Sequence, residues 1–251
     1  MKSNWIKSEK EVELMKKSGQ IAAYALKKVR ENIKPGISCK FLDDIAQREI
    51  EKLGATPSFM TVENYQYTIC TTINEQVVHG IPTDRILKSG DIIGIDIGAL
   101  YKGFHSDLAI TVPVGDVSSD IRNFLSCGEN ALKKAIKKAM PGNKIGDVSS
   151  SIQGSVETAG YSIVKELTGH GVGKMLHEEP FIPGFGKPHS GPVIAENMTI
   201  AIEVIYTNGS GEIGLEKDNW TITTADGSLG GLFEQTVLTS KSGPVVLTPY
   251  M

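Results

Sequence analysis

The chain has few cysteines, and their placement argues against two common architectures. Only Cys39, Cys70 and Cys127 occur among the 251 residues. An odd number without a CxxC pair argues against both a disulfide framework and a structural zinc site built from thiolates. A reducing cytosol is therefore the expected compartment.

Long apolar runs and a surplus of one charge are also missing. No window approaches the roughly 18 apolar residues of a membrane span. The opening MKSNWIKSEKEVELMKKSG carries charges throughout instead of the apolar core of a signal peptide. The formal net charge of -3 comes from 26 basic and 29 acidic residues, so neither nucleic acid nor an anionic membrane is favoured as a partner. We expect a cytoplasmic protein that binds neither nucleic acid nor a membrane.

Several catalytic signatures are absent as well. The sequence contains no GxSxG nucleophile elbow and no GxxxxGK[ST] phosphate loop. The run GHGVGKMLHEEP, residues 169 to 180, fails the GxGxxG spacing of a dinucleotide site. It also fails the HExxH spacing of a zinc helix, because Phe181 stands where the second histidine is required. Nucleotide binding and single-helix zinc chemistry are therefore excluded.

Helices followed by strands are present instead. Ser8 and Glu11 have the spacing of a capping box, which predicts a helix from about residue 9 that ends at Pro35 and Gly36. A second amphipathic helix should end at Gly54, with one buried face made by Phe41, Leu42, Ile45 and Ile50. Three strand-like runs follow, YTICTTINEQVVHG, GDIIGIDIGAL and HSDLAITVPV.

The same order of elements returns in the second half of the chain. ALKKVRENIKPG, residues 25 to 36, aligns without gaps with ALKKAIKKAMPG, residues 131 to 142, at an offset of 106. The repeats cover about residues 10–115 and 118–245. With no disordered linker, this predicts a single domain, 1–251. We expect an α+β fold, with halves related by a pseudo-twofold axis and helices covering one face of a shared antiparallel sheet.

Each half contributes two acidic residues in strand-like runs. Asp96 corresponds to Glu203 at an offset of 107, and Asp107 before LAITV resembles Glu234 before QTVLT. Taken alone, Asp96 or Glu203 is better explained as a hydrogen-bonded or salt-bridged strand carboxylate. Four carboxylates brought together by the duplication would repel one another unless cations neutralised them. The set predicts a pair of divalent metals bound by oxygen and nitrogen for hydrolysis.

The histidines differ in what they predict. His170 lies between glycines, where little packs against it, and could complete a metal's ligands. His79 ends an apolar strand, where a lone histidine is more often structural. His105 should share a strand face with Asp107, and His189, in a loop of proline and glycine, receives no role.

The ordered set Asp96, Asp107, His170, Glu203 and Glu234, with His79 upstream in NEQVVHGIP, resembles the methionine aminopeptidases over almost the whole chain. The short chain is most similar to the prokaryotic type I branch. The lack of a long insertion in the second half argues against type II, and no early cysteine pair indicates an N-terminal zinc extension. The resemblance implies the pita-bread fold, in which helices cover a curved antiparallel sheet.

The resemblance also implies roles for these residues. Asp96 would chelate one metal, Asp107 and Glu234 would bridge both, and His170 and Glu203 would complete the second. Glu203 would accept the proton of the attacking water, His177 would stabilise the oxyanion, and His79 would contact the substrate amide. Metal identity stays open among cobalt, manganese, iron and zinc.

The methionine pocket implied by the resemblance is lined by Tyr65, Cys70 and Trp220. Three positions depart from the family pattern: Gln235 replaces a histidine, Val204 a proline and Leu176 an aromatic residue. Loss of the histidine could alter metal affinity, and Leu176 could loosen the pocket.

The expected function is removal of initiator methionine from nascent chains, at the ribosome or away from it, by a monomer. Two alternatives stay open. One is an Xaa-Pro aminopeptidase or dipeptidase of the same fold, although those relatives usually carry a large additional N-terminal domain. The other is a non-catalytic binding protein that keeps the fold.

Overall fold

The computed structural model describes residues 5–249, so the ends of the predicted 1–251 domain, residues 1–4 and 250–251, lie outside the described residues. Four helices are spread over both halves: α1 Glu9–Arg30, α2 Cys39–Lys52, α3 Ser119–Ile136 and α4 Ile145–Thr158. A short 3-10 helix spans Phe59–Thr61. None of the helices in residues 5–249 combines the length and apolarity needed to cross a membrane.

The helix ends follow the capping residues of the sequence. The Ser8 side chain accepts a hydrogen bond from the Glu11 backbone N–H, and the Glu11 carboxylate accepts one from the Ser8 N–H, so the predicted capping box is confirmed. The first helix stops at Arg30, several residues before Pro35. Gly54 has a φ of +75°, the left-handed conformation expected of a glycine beyond a helix end.

The strands form one large sheet and one small one. In chain order the strands are β1 Thr56–Pro57, β2 Ile69–Ile73, β3 Gln76–Val78, β4 Ile92–Tyr101, β5 Phe104–Pro113, β6 Ser162–Ile163, β7 Thr168–Gly171, β8 Glu178–Pro183, β9 Thr199–Thr207, β10 Ile213–Leu215, β11 Ile222–Thr224, β12 Gly230–Leu238 and β13 Val245–Val246. Ten of these strands belong to the large sheet, whose main path runs β1-β4-β5-β12-β9-β7-β8, with β2 on β4, β6 on β9 and β13 on β12. The small sheet has the order β10-β11-β3.

The helices pack on one face of the large sheet, as the sequence predicts. Alternate strand residues such as Ile95, Ile110 and Ile202 join the helical residues Leu26 and Leu132 in the main apolar core. Phe41 was expected on the buried face of α2, but it is 44% exposed. It stands directly before Leu42, which is fully buried, and a helix turns by about 100° between neighbouring residues.

The small sheet was not predicted. The residues inserted in the second half supply β10 and β11, and β11 pairs with β3 of the first half, with Ile222 opposite Val78. Val77 and Val78 of β3 share an apolar cluster with Ala109, Ile205 and Leu232 of the large sheet. The small sheet therefore covers the face that the helices leave open.

The duplication is visible in the element boundaries. Helix α4 and strand β6 repeat α2 and β1 at an offset of 106, and β9 begins 107 residues after β4. The match of Asp107 with Glu234 is shifted by two residues, however. Asp96 pairs with Ala109 across β4 and β5, whereas Glu203 pairs with Glu234 across β9 and β12, so the strand register equates Glu234 with Ala109.

Candidate metal centre and active site

Four adjacent strands bring the four carboxylates to one face of the sheet. Asp96, Ala109, Glu234 and Glu203 form a continuous row across β4, β5, β12 and β9, because each is the ladder partner of the next. Asp107 lies two residues from Ala109 and therefore points to the same face. This is the face opposite the helices, and the carboxylates meet there as the sequence predicts.

His170 adds a nitrogen to the row from β7. Its Nε2 lies 3.4 Å from Oε1 of Glu203 and 3.8 Å from Oδ2 of Asp107. The other ring nitrogen, Nδ1, is 2.8 Å from the carbonyl oxygen of Gly171. A carbonyl can only accept, so Nδ1 carries the proton and Nε2 presents its lone pair to the carboxylates.

The carboxylates lie close together in largely buried positions and repel one another. Burial raises the pKa of Asp96 from its ordinary 3.8 to about 7. Burial and then repulsion from the neighbouring carboxylates raise the pKa of Asp107, Glu203 and Glu234 well above the usual range. Burial also lowers the pKa of His170 to about 3, with a smaller contribution from His177, so the imidazole is neutral. Positive charge at the centre would relieve this repulsion.

The donor atoms are suited to binding divalent metal. Oδ1 of Asp96 and Oδ1 of Asp107 are buried and make no hydrogen bond to any described residue. Burying such an oxygen without a partner costs free energy, and a bound cation would supply the partner. The possible ligand atoms form two groups, and within each group they all lie within 4.8 Å of one another. One group comprises Asp96, Asp107 and Glu234, and the other comprises His170, Glu203 and Glu234. Glu234 belongs to both, as expected of a residue between two ions.

The four carboxylates and His170 line a cavity of about 140 Å³, and His177 and His79 border the same cavity. The ring of His177 lies edge-on to that of His170, with 4.4 Å between centroids. A third group of possible ligand atoms, which the sequence did not predict, comprises Asp107, His170 and His177. His79 follows β3 and has a φ of +59°. Burial lowers the pKa of both His79 and His177, which keeps them neutral near pH 7.

The three pocket residues proposed from the sequence come together. The Tyr65 hydroxyl donates to the carbonyl oxygen of Ile69 at 2.8 Å and lies 3.2 Å from Sγ of Cys70. The rings of Tyr65 and Trp220 meet edge to face, with centroids 5.0 Å apart. Leu176 belongs to the same apolar cluster.

Sequence reasoning missed part of the cavity wall. Phe59, Val62 and Val78 line the cavity beside the predicted residues. Val78 immediately precedes His79, and the other two lie in the run SFMTVENY that leads to Tyr65. Nearness in sequence to a proposed pocket residue was the available signal.

The remaining flagged residues lie away from the cavity lining. Nδ1 of His105 is 2.7 Å from the Ser58 hydroxyl, in a buried pair. His189 is exposed and lies beside Asp147. Val204 packs in the core on the helix side, and the Gln235 amide donates to the carbonyl oxygen of Thr248 at 3.2 Å.

Comparison with known proteins gives a consistent set of matches. The model of metallopeptidase family M24 matches residues 13–239. Methionine aminopeptidase 1 of Bacillus subtilis is 43% identical, over 96% of this chain and 98% of that protein. The crystal structure of methionine aminopeptidase from Thermotoga maritima superimposes with a TM-score of 0.95 at 39% identity, covering 97% of this chain and 98% of that one. A prolidase from Pyrococcus furiosus is less similar, with a TM-score of 0.80, 26% identity and coverage of 98% of this chain and 65% of its own.

Proposed function

The chain belongs to metallopeptidase family M24 and, within it, to the methionine aminopeptidases, and we propose that it hydrolyses the peptide bond after an N-terminal methionine at the centre formed by the four carboxylates and His170. The observation that carries the residue assignment is the row of strand partners Asp96, Ala109, Glu234 and Glu203. With Asp107, which lies two residues from Ala109 on β5, it brings one acidic side chain from each of four strands together beside a neutral imidazole. The relatives are hydrolases that need metal, and this set of oxygen and nitrogen donors is suited to binding metal.

Two divalent ions are the proposed cofactor. Asp96, Asp107 and Glu234 would hold one, and His170, Glu203 and Glu234 the other, with Asp107 near enough to bridge. Such ions, when bound, act as Lewis acids and lower the pKa of water from 15.7 towards about 7. The choice among cobalt, manganese, iron and zinc depends on supply, because oxygen and nitrogen ligands suit all four.

The protein's own groups divide the remaining work. Glu203, whose carboxylate borders the cavity beside His170, would accept the proton of the attacking water and pass it to the leaving amine. His177 would donate a hydrogen bond to the oxygen that becomes negatively charged, and His79 would contact the substrate amide next to the scissile bond. Both are neutral donors that border the cavity.

The apolar end of the cavity supports methionine as the first residue. Tyr65, Trp220, Leu176 and the sulfur of Cys70 form one cluster beside the carboxylates. A thioether packs favourably on aromatic rings and polarisable sulfur. A straight side chain would extend into this cluster while its amine remained near the carboxylates.

The cellular setting follows from the substrate. Nascent polypeptides present an initiator methionine in the cytoplasm, so we propose that the protein acts there, at the ribosome or after release, as a monomer. Cys39, Cys70 and Cys127 are all free thiols, in keeping with a reducing compartment.

The decisive experiment is peptide cleavage by chelator-stripped protein supplied with one divalent metal at a time. We expect metal-dependent release of methionine from Met-Ala-Ser and no cleavage of Leu-Ala-Ser or Ala-Pro-Gly. Release of alanine from Ala-Pro-Gly would instead support the Xaa-Pro alternative. Absence of cleavage with every metal would support a binding protein of this fold.

A further inference from the structure

A buried ion pair fastens the N-terminal segment to the loop that carries His177. Nζ of Lys7 lies 2.8 Å from Oε2 of Glu178, and the two side chains are only 5% and 16% exposed. Glu178 directly follows His177 in the chain. The partners are 171 residues apart, so the contact is a product of the fold.

Glu178 turns this ion pair into a brace for the loop. Its other oxygen, Oε1, accepts a hydrogen bond from the backbone N–H of Met175 at 3.1 Å. The carboxylate therefore closes residues 175 to 178 into a ring while Lys7 holds it from outside. Leu176 and His177 are the two residues enclosed between these attachment points.

The glycine at position 173 shows how closely Lys7 approaches the loop. A Cβ atom placed there would lie 2.6 Å from Cε of Lys7 and 2.8 Å from its Nζ. These distances are shorter than van der Waals contact, so any larger residue at position 173 would have to displace the lysine side chain. On the other side of this glycine, its carbonyl oxygen accepts from the backbone N–H of His105 on β5 at 2.7 Å. The loop is thus held between β5 and the N-terminal segment.

The N-terminal segment is itself anchored and has no counterpart in the other half. The Lys7 backbone N–H donates to the carbonyl oxygen of Asn197 at 2.8 Å, and Ile6 forms a bridge with Met198. Helix α3 begins at the position that corresponds to residue 13 of α1, given the offset of 106. The stretch before residue 13 therefore has no helical equivalent at the start of α3, and it reaches the active-site loop.

We propose that Lys7 is a positioning residue that acts through Glu178 to fix the imidazole of His177 for the reaction. The inference rests on the proposed function, because it presupposes that His177 meets the substrate. A charge-assisted hydrogen bond in a buried setting is short and directional, which suits a contact whose task is to set the position of a neighbouring group.

The structure offers a matched control between the same two segments. Nζ of Lys174 lies 2.9 Å from Oε1 of Glu11, but the Lys174 side chain is 69% exposed. Such an exposed pair contributes little. Lys174→Met removes a lysine and one ion pair from this region without touching Glu178.

The test compares Lys7→Met, Lys7→Arg and Lys174→Met in methionine release from Met-Ala-Ser. We expect Lys7→Met to lower kcat by about tenfold with a smaller change in KM, since displacement of a reacting group by a fraction of an ångström has effects of this order. Lys7→Arg should restore kcat to within about threefold of the unchanged protein, because it restores the charge-assisted contact. Lys174→Met should stay within about twofold. Unchanged kcat in Lys7→Met would overturn the proposal.

A double-mutant cycle with His177→Ala separates positioning from general damage. If Lys7 acts through His177, Lys7→Met should lower kcat by less than about twofold once His177 is already alanine. A further tenfold loss in that background would show that the lysine acts elsewhere and would overturn the proposal.

Hydrogen exchange tests the brace without catalysis and keeps this inference distinct from the proposed function. We expect faster amide exchange in residues 172–178 for Lys7→Met than for Lys174→Met. If the unchanged protein cleaves no peptide, the proposed function fails, and this measurement alone decides whether Lys7 holds the loop. Equal exchange in the two variants would show that it does not.

Discussion

Nε2 of His170 and Oε1 of Glu203 lie 3.4 Å apart on the neighbouring strands β7 and β9. The other ring nitrogen, Nδ1, donates a hydrogen bond to the Gly171 carbonyl oxygen. The lone pair of Nε2 therefore already faces the carboxylates. The nitrogen donor is therefore preorganised beside carboxylates whose pKa values are raised by burial and mutual repulsion.

Asp107→Asn should abolish turnover and weaken metal binding by more than about a hundredfold, because the position loses its charge at a shared donor. The same change should stabilise the chelator-stripped protein, since it removes one of four repelling carboxylates. Titration calorimetry with manganese and thermal unfolding without metal would measure both effects. Asp116→Asn, on an exposed turn, is the control; equal metal affinity in the two variants would contradict the ligand assignment.

His177→Ala should keep its metal and lose about two orders of magnitude in kcat, the usual cost of removing one oxyanion donor. The measurement is a steady-state rate on Met-Ala-Ser together with bound metal per chain. His189→Ala removes a histidine whose side chain is 90% exposed and should leave kcat unchanged. A His177→Ala enzyme of full kcat would show that this histidine is structural.

The metal-free protein should lose stability as pH rises from about 4 to about 7. The folded-state pKa of Asp96, about 7, exceeds its ordinary 3.8, so the folded chain holds a proton in this window that the unfolded chain releases. The stabilisation is complete below the lower pKa and is lost as pH rises through the higher one. Urea unfolding of chelator-stripped protein between pH 4.5 and 8 would measure it.

Asp96→Asn is the matched variant for that titration. Its unfolding free energy should fall less steeply over the same pH window, because the titrating carboxyl is gone. Parallel curves for the two proteins would exclude Asp96 as the source of the pH dependence.

Leu176→Phe should narrow the methionine pocket. The leucine belongs to the cluster of Tyr65, Cys70 and Trp220, and a larger ring there leaves less room at the end of the substrate side chain. We expect kcat/KM for an ethionine peptide to fall about tenfold relative to that for the methionine peptide. This is the lower end of the discrimination that an apolar pocket achieves against one additional methylene. An unchanged ratio would mean that the side chain ends elsewhere.

Gln235→Ala should affect stability more than metal binding. The amide donates to the Thr248 carbonyl on the sheet face opposite Glu234, so its loss removes about 1 kcal/mol of hydrogen bonding. Manganese affinity should change by less than about threefold. A large change would show that this residue influences the centre through the backbone of β12.

The sequence predicted the helices, the duplication and the meeting of the carboxylates because these depend on local signals. Ser8 and Glu11 form their capping box within one turn, and Asp96 and Glu203 lie in runs whose alternation indicates a strand face. The resemblance supplied the roles of His79 and His177, which spacing alone left open.

Long-range contacts explain what was missed. The pairing of Ile222 with Val78 joins segments whose own patterns contain no sign of one another. The two-residue shift between Asp107 and Glu234 depends on how the strands pair, and a comparison of side chains before LAITV and QTVLT does not reveal it. The contact of Lys7 with Glu178 likewise becomes visible only after folding.

The small sheet β10-β11-β3 gives the active site a division of labour. The two halves each place two carboxylates at the centre, in an approximately symmetrical arrangement. Val78 and His79 at the end of β3 and Trp220 beside β11 stand where that symmetry is broken. We expect the repeat to supply the acids of the proposed metal centre. The inserted segment adds Trp220 to the pocket proposed for the substrate side chain, where a substitution would leave the acids in place.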